Sequence, residues 1–425
     1  MIVTGSLELK DYMYDMRRCM RCASCRWLDH IYMPDNRFVY RCPSYGKYYF
    51  SKVAYGRVKL GLALTENRLD DTPGMMDMVF QCVMCGACDS GCKRNLDLEI
   101  MNSLEALRGY MVQKGRYPKA HDKLINNIAA SHNKFGAPHE NRTRWQSAKP
   151  AEKSDTVYFA GCGASYTQTK IAQSTDKILN ALGGYMMLPD EQCCGHPLFA
   201  MGQYDAFVKQ MEHNLEAMKK TGAKRLVTAC AECYKTWKVD YPRMKKINTS
   251  DLGFEVLHIT EVIAPKLADG SLELKNKVDL KVAWHDPCNL GRMSEPFKSW
   301  QGERGQWGCL EPAEGFGAKE FNRGVNGVYE EPRNILSAIK GIELMELKRH
   351  HEFSWCCGGH AGVPEAYPEL AAYSVEERLE EVRTTGAEAI VSACPYCKES
   401  FNTGLKNYDH QVKVYDITEI IAEAL

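Results

Sequence analysis

The sequence predicts an α+β to α/β protein: a helical N-terminal block followed by two copies of one α/β domain. Three observations carry that expectation. The cysteines fall in tight clusters rather than singly. Residues 155–279 and 280–425 repeat the same landmarks in the same order. Within each copy, short β-rich runs alternate with helical patterns, the signature of βαβ units and a parallel sheet.

Composition narrows the function. The chain has 425 residues, 44% hydrophobic and 25% charged, with Lys+Arg and Asp+Glu both numbering 54. A balanced charge argues against a protein built chiefly to grip nucleic acid or an anionic membrane. No apolar run approaches the roughly 18 to 20 residues of a membrane helix. The start, MIVTGSLELK, lacks a basic stretch followed by an apolar core, so no secretory signal is expected and the setting is read as cytoplasmic. The 19 cysteines are an odd total in C-x2-C-x2-C, C-x2-C and adjacent CC patterns, which suits metal ligation rather than a disulfide scaffold.

Residues 1–115 contain eight cysteines and an amphipathic stretch, Leu96 to Val112, expected to be helical. Cys19, Cys22 and Cys25 form one triplet, and Cys82, Cys85 and Cys88 another. Each has a distant fourth candidate: Cys42, followed by Pro43, and Cys92. Three thiolates in one loop can hold three irons of a cubane, the fourth being bound from elsewhere; in two-cluster ferredoxins the fourth cysteine of one run serves the other cluster. By that crossing, Cys19, Cys22, Cys25 and Cys92 hold one 4Fe–4S cluster, and Cys82, Cys85, Cys88 and Cys42 the other. The set of eight does not depend on the crossing. Zinc is the rival, but a third cysteine three residues on is surplus to paired zinc knuckles. Arg17, Arg18, Arg21, Arg26, Lys93 and Arg94 flank the triplets and suit anionic clusters, a solvated face or a docking patch equally.

Residues 116–154 are expected to be a helical linker: a helix over Ala120 to Ser131, then a polar run from His132 to Asp155 crossing the surface. The first α/β copy opens with Val157-Tyr158-Phe159-Ala160 and reaches Cys162; the second opens with Val282-Ala283-Trp284 and reaches Cys288. Each continues to a CC-Gly element, Cys193-Cys194-Gly195 and Cys356-Cys357-Gly358. GAKRLVTACAEC (Gly222 to Cys233) matches GAEAIVSACPYC (Gly386 to Cys397), and HITEVIA from His258 matches YDITEIIA from Tyr415. Helices are expected over Phe199 to Lys220 and Pro368 to Thr385. A repeat of this length suggests duplication of a whole domain. The cysteines then fall at strand ends, where open α/β sheets place ligands, and the C-x2-C pairs open helices, whose dipoles favour thiolates.

Each copy thus offers five cysteines: Cys162, Cys193, Cys194, Cys230 and Cys233, then Cys288, Cys356, Cys357, Cys394 and Cys397. A cubane uses four, so either one of each set is non-ligating or the cluster is not a cubane. Cys288 and Cys356 are separated by 67 residues, against 30 between Cys162 and Cys193. The surplus, about residues 293–326, contains Cys309, the one cysteine without a role, and reads as a surface loop or as an element shaping access or docking. His196 and His360 follow the CC-Gly elements and are candidates for proton transfer. His285 and Asp286 are expected to support Cys288 rather than react.

The doubled C…CCG…C-x2-C pattern, with GCGASY from Gly161, QCCGHPL from Gln192, HDPCNLGR from His285 and VYEEPRNIL from Val328, resembles the cysteine-rich CCG domains of heterodisulfide reductase catalytic subunits. With a two-cluster ferredoxin domain in front, the whole chain is similar to the D-subunit type. The resemblance implies a non-cubane 4Fe–4S cluster on the five cysteines of each CCG domain, besides the two cubanes. It implies catalysis at Cys193, Cys194, Cys356 and Cys357, where the paired clusters split a disulfide. It also implies partner redox subunits, either a flavin-containing electron-bifurcating subunit or a membrane cytochrome b holding the chain at the cytoplasmic face. Relatives that serve lactate or glycolate oxidases, membrane redox complexes of sulfate reducers or benzoyl-CoA reductase imply the alternative, a non-catalytic electron-transfer subunit.

Overall fold

The computed structural model describes residues 2–3, 5–29, 31–48, 50–70, 72–93, 98–147, 149–305 and 309–425. Its strands are β1 (Ile2–Val3), β2 (Thr156–Tyr158), β3 (Met186–Met187), β4 (Arg225–Thr228), β5 (Glu255–His258), β6 (Leu280–Trp284), β7 (Gln301–Arg304), β8 (Leu310–Pro312), β9 (Ile342–Met345), β10 (Ala389–Ser392) and β11 (Lys413–Asp416). Two four-stranded sheets form, in the orders β3-β2-β4-β5 and β9-β6-β10-β11, every neighbouring pair parallel. Numbered within each copy, both orders are 2-1-3-4. The two halves therefore share one topology as well as one sequence pattern.

Local sequence explains the framework. Strands β4 and β10 bury nearly every side chain, as runs such as RLVT and AIVS require when helices cover both faces of a parallel sheet. Each copy ends in a helix, Ile259–Ala268 or Ile417–Ala424, opened by the same capping box: His258 with Glu261, and Asp416 with Glu419. The expected helix from Phe199 is two, His196–Met201 and Tyr204–Thr221, because Gly202 at φ +83 breaks the chain between them. A side chain at Gly202 would press on the backbone of Arg108 and Gly109 at 2.8 and 2.9 Å, so glycine permits the N-terminal block to dock there.

The N-terminal block is helical, with long helices Ala54–Thr65 and Ile100–Gln113, and its apolar cluster includes Cys288, Cys356 and Val363 from the second α/β copy. The helix expected from Leu96 thus starts at Ile100; Leu96 and Asp97 lie outside the described residues, as does Arg94. One expectation is corrected and one is narrowed. The run from His132 does not merely cross the surface: Asn133 is fully buried, holding Phe135 and Ala137 with its carbonyl oxygen, and buried Arg142 pairs with Glu191 at 2.5 Å. Glu191 also accepts the backbone N–H groups of Ala160 and Gly161, so this ion pair fixes the approach to Cys162. The segment at 293–326 is not a simple loop, because β7 and β8 join β1 in an antiparallel sheet that ties it to the N-terminus. Polar sequence hid both, since backbone and ion-pair partners far along the chain satisfy those polar groups.

Candidate metal centres

The two C-x2-C-x2-C loops adopt the same backbone device. Arg21 and Ala23 in the first, and Met84 and Gly86 in the second, occupy the left-handed region at φ +59, +69, +47 and +71. Two such reversals turn three successive thiols toward one point, and three of the four are residues that rarely accept this geometry. The cavities that result group the thiols in the crossed manner. Cys19, Cys22, Cys25 and Cys92 line one, with Met20 and Tyr55; Cys42, Cys82, Cys85 and Cys88 line the other, with Arg57 and Leu104. All nineteen cysteines are free thiols. Four sulfurs around a cavity, with no histidine or carboxylate among the described residues lining either one, fit a 4Fe–4S cubane.

The ten remaining clustered cysteines lie beyond the carboxyl ends of strands 1, 2 and 3 of each sheet, and none is more than 6% exposed. In the first copy the thiols interact in the order Cys162, Cys193, Cys194, Cys233, Cys230. In the second the order is Cys288, Cys356, Cys357, Cys397, Cys394, with Cys357 and Cys397 sulfurs 3.3 Å apart. The two series correspond member by member, and they meet where Cys230 contacts Cys394. All five sulfurs in each copy are linked in this series, including the one surplus to a cubane. Each CC turn is also held alike: the N–H groups of Gly195 and Gly358 donate to Cys193 Sγ at 3.4 Å and Cys356 Sγ at 3.3 Å.

The N-terminal block joins this series directly. Cys85 hydrogen-bonds Cys356, which holds the Cys85 thiol down at about 6 against the cost of burial. Arg292 of the second copy donates to the Cys85 carbonyl at 2.6 Å. Cys288 is also held low, first by Cys356 and then, against burial, by His360.

His360 Nε2 lies 3.6 Å from both Cys288 and Cys356 sulfurs; burial lowers its pKa, but Cys288 and other thiols prevail and raise it. His196 contacts Thr236 at 3.3 Å and Asn289 at 3.4 Å, and burial holds it neutral. Their rings are 5.9 Å apart at the meeting of the two copies. His285 and Asp286 support the scaffold: Arg378 contacts His285 at 3.1 Å, and Arg333 grips Asp286 through two bonds of 2.8 and 2.9 Å. Lys93 is buried and shared between Asp89 and Glu99, so it offers no free charge to a cluster. Cys309 is exposed and lines neither N-terminal cavity.

Sequence reading missed two residues. Glu232, inside the C-x2-C of the first copy, is buried with a ligand-capable oxygen within 4.8 Å of His196 and His360. Burial, reinforced by Cys394, raises its pKa well above the ordinary carboxylate value. The signal was an acidic residue between two thiols where the other copy has Pro395 and Tyr396. Arg108 gave no signal. Its guanidinium donates to carbonyls of Phe80, Cys82, Ala200 and Ala361 at 3.1, 2.6, 2.5 and 3.2 Å, joining the N-terminal block to both copies.

The CC-Gly geometry yields a prediction. At Gly358, φ is +80 and an added Cβ would lie 2.8 Å from Ser374 Cβ; at Gly195, φ is +86 and the neighbour is Phe207 at 2.8 Å. Gly358→Ala and Gly195→Ala are each expected to destabilise the protein by about 2–4 kcal/mol, summing left-handed strain and overpacking. Thermal unfolding of anaerobically prepared protein reads this directly. Unchanged midpoints would refute the packing argument.

Comparison with known proteins agrees with this organisation. The family described as "4Fe-4S dicluster domain" matches residues 15–96, and the family described as "Cysteine-rich domain" matches residues 156–238 and 308–402. Cys288 precedes the second match, so its place rests on the repeat and its contacts with Cys356. The chain is 30% identical to the D-subunit of the dihydromethanophenazine:CoB–CoM heterodisulfide reductase of Methanosarcina barkeri, over 99% of this chain and 98% of that one. The same identity and coverage hold for the D-subunit of that enzyme in Methanosarcina mazei. It is 28% identical to the B-subunit of the fumarate reductase (CoM/CoB) of Methanothermobacter marburgensis, over 82% of this chain and 62% of that one. A two-cluster module, two cysteine-rich α/β units and full-length similarity lead to one assignment: the chain is an iron–sulfur oxidoreductase belonging to the heterodisulfide reductase D-subunit family.

Proposed function

We propose that the chain is the disulfide-reducing component of a redox complex, with the paired five-cysteine sites as its reaction centre and a heterodisulfide of the CoB–CoM type as its substrate. One observation carries this reading: two matching series of five thiols meet at Cys230 and Cys394, with His196, Glu232 and His360 between them. Clusters bound at the four sites supply one-electron storage and iron able to ligate sulfur, chemistry that suits splitting a disulfide into two thiols.

The chain's own residues supply the rest. The thiols of Cys193, Cys194, Cys356 and Cys357 hold the centre beyond the carboxyl ends of the two sheets, where the copies meet at Cys230 and Cys394. Deep burial of all ten thiols excludes water and side reactions. Disulfide cleavage consumes two protons; His360, 3.6 Å from the Cys288 and Cys356 sulfurs, and Glu232, between the two copies, are the groups placed to supply them. Arg333 fixes Asp286 and the chain entering Cys288, so that ligand is placed before substrate arrives. Cys85 and Cys356 bring the N-terminal block to the second copy, which favours electron delivery there first.

The same burial also favours a second reading, a relay whose chemistry resides in a partner. One experiment separates them. Anaerobic holoprotein is oxidised in the presence of CoM or CoB thiol and examined by EPR. A thiol-dependent signal, broadened by 33S-labelled thiol and lost in Cys193→Ser, is expected for the reaction centre. No response to either thiol, with the N-terminal clusters still reducible, would select the relay.

A further inference from the structure

We propose that the exposed face around Cys22 docks an acidic one-electron carrier protein and is the electron-entry surface of the molecule. This rests on the reading that a cluster occupies the Cys19, Cys22, Cys25 and Cys92 site. Of the eighteen cysteines in the four sites, Cys22 alone is exposed. The paired sites are buried, so this centre lies nearest to an outside partner.

The surrounding surface has the composition of a docking site. Of eight large hydrophobic side chains exposed among the described residues, five lie between positions 20 and 50, including Met20 at 68%, Trp27 at 45% and Phe50 at 45%. They form one face. Met20 and Tyr55 line the Cys22 cavity, Tyr55 lies 5.2 Å from Phe50, and Arg26 sits over Phe50 and Trp27 at 4.5 and 4.0 Å. Exposed aromatic, methionine and arginine side chains are the residues enriched where protein interfaces bury area.

Charge selects the partner. The stretch from Met16 to Leu28 contains four arginines and no acidic residue, although the whole chain is balanced at 54 charges of each sign. Arg17 is engaged by Glu66 at 2.8 Å, while Arg18 and Arg21 are exposed beside the cysteine loop. A local positive field on a neutral molecule steers an acidic partner and orients it toward Cys22. The aromatic rings stack under Arg26 instead of projecting as an apolar blade, which favours a protein surface over lipid insertion. In the step proposed, one electron leaves the carrier and one is taken up at the Cys22 centre, with no bond made or broken.

Stopped-flow reduction of the oxidised holoprotein by photoreduced bacterial ferredoxin, an acidic carrier, tests this. The parent rate is expected to fall steeply with salt. In Arg18→Glu the rate should drop severalfold with a flattened salt dependence, and in Trp27→Ala severalfold. Iron content and dithionite reduction should match the parent in all variants. Parent-like ferredoxin rates in these variants would overturn the docking surface. So would charge-dependent binding to phosphatidylglycerol vesicles without any effect on the ferredoxin rate, which would assign the face to a membrane. A Cys22→Ser protein with unchanged iron content and EPR would instead refute the underlying cluster assignment.

Discussion

Cys356→Ala is expected to abolish disulfide reduction and confine reducing equivalents to the N-terminal block. Cys356 is the residue whose thiol meets Cys85 of that block and both Cys288 and Cys357 of its own set. Removing it breaks the second centre and the contact with the N-terminal module together. Turnover with CoB–CoM heterodisulfide should fall about 1,000-fold or more, equivalent to about 4 kcal/mol in the barrier. Iron content should fall by about four atoms, one 4Fe–4S cluster. Signals from the two N-terminal clusters should persist, whereas a carrier-reduced sample should show slow reduction of the first-copy centre. Cys309→Ala, at the exposed cysteine outside every set, is the matched control and should behave as the parent. Full activity in Cys356→Ala would remove the paired sites from the mechanism.

Arg108→Ala should produce the largest loss of stability. The side chain is fully enclosed, and burial lowers its pKa to about 10, still charged at neutral pH. Its four carbonyl partners belong to three parts of the fold, so alanine leaves several buried acceptors unpaired at once. A loss of about 3–5 kcal/mol is expected. Because the Cys82 carbonyl is one acceptor, the second cubane site should also load poorly. Denaturant unfolding and iron analysis read the two effects. Arg108→Lys should recover only part of the loss, since one ammonium cannot match a planar fork aimed at four oxygens. An alanine variant of parental stability would show that the interdomain join lies elsewhere.

Much of this was legible because its causes are local. The alternation of apolar runs with helical text reports a parallel sheet wherever helices must cover both faces. The repeated GA-x-x-x-V-x-A-C-x-x-C segments mark a strand, a turn and a helix start, and the structure builds β4 and β10 from them. Other features were illegible because their partners are remote. Arg142 in a polar stretch looks solvated until Glu191 is placed beside it, and the insertion at 293–326 looks like a loop until β1 from the opposite end of the chain pairs with it. Glu232 appears as an ordinary acid beside cysteines; only burial between the two copies raises its pKa.

By itself the sequence determined the number of thiols, their grouping into loops, the duplication and the sheet class, since each depends on spacing and periodicity along a few neighbouring residues. The tertiary structure alone decided which sites meet one another: Cys85 with Cys356 and Cys230 with Cys394. Each of those pairings joins residues far apart in the chain, and burial and packing between units, which no local pattern encodes, select it.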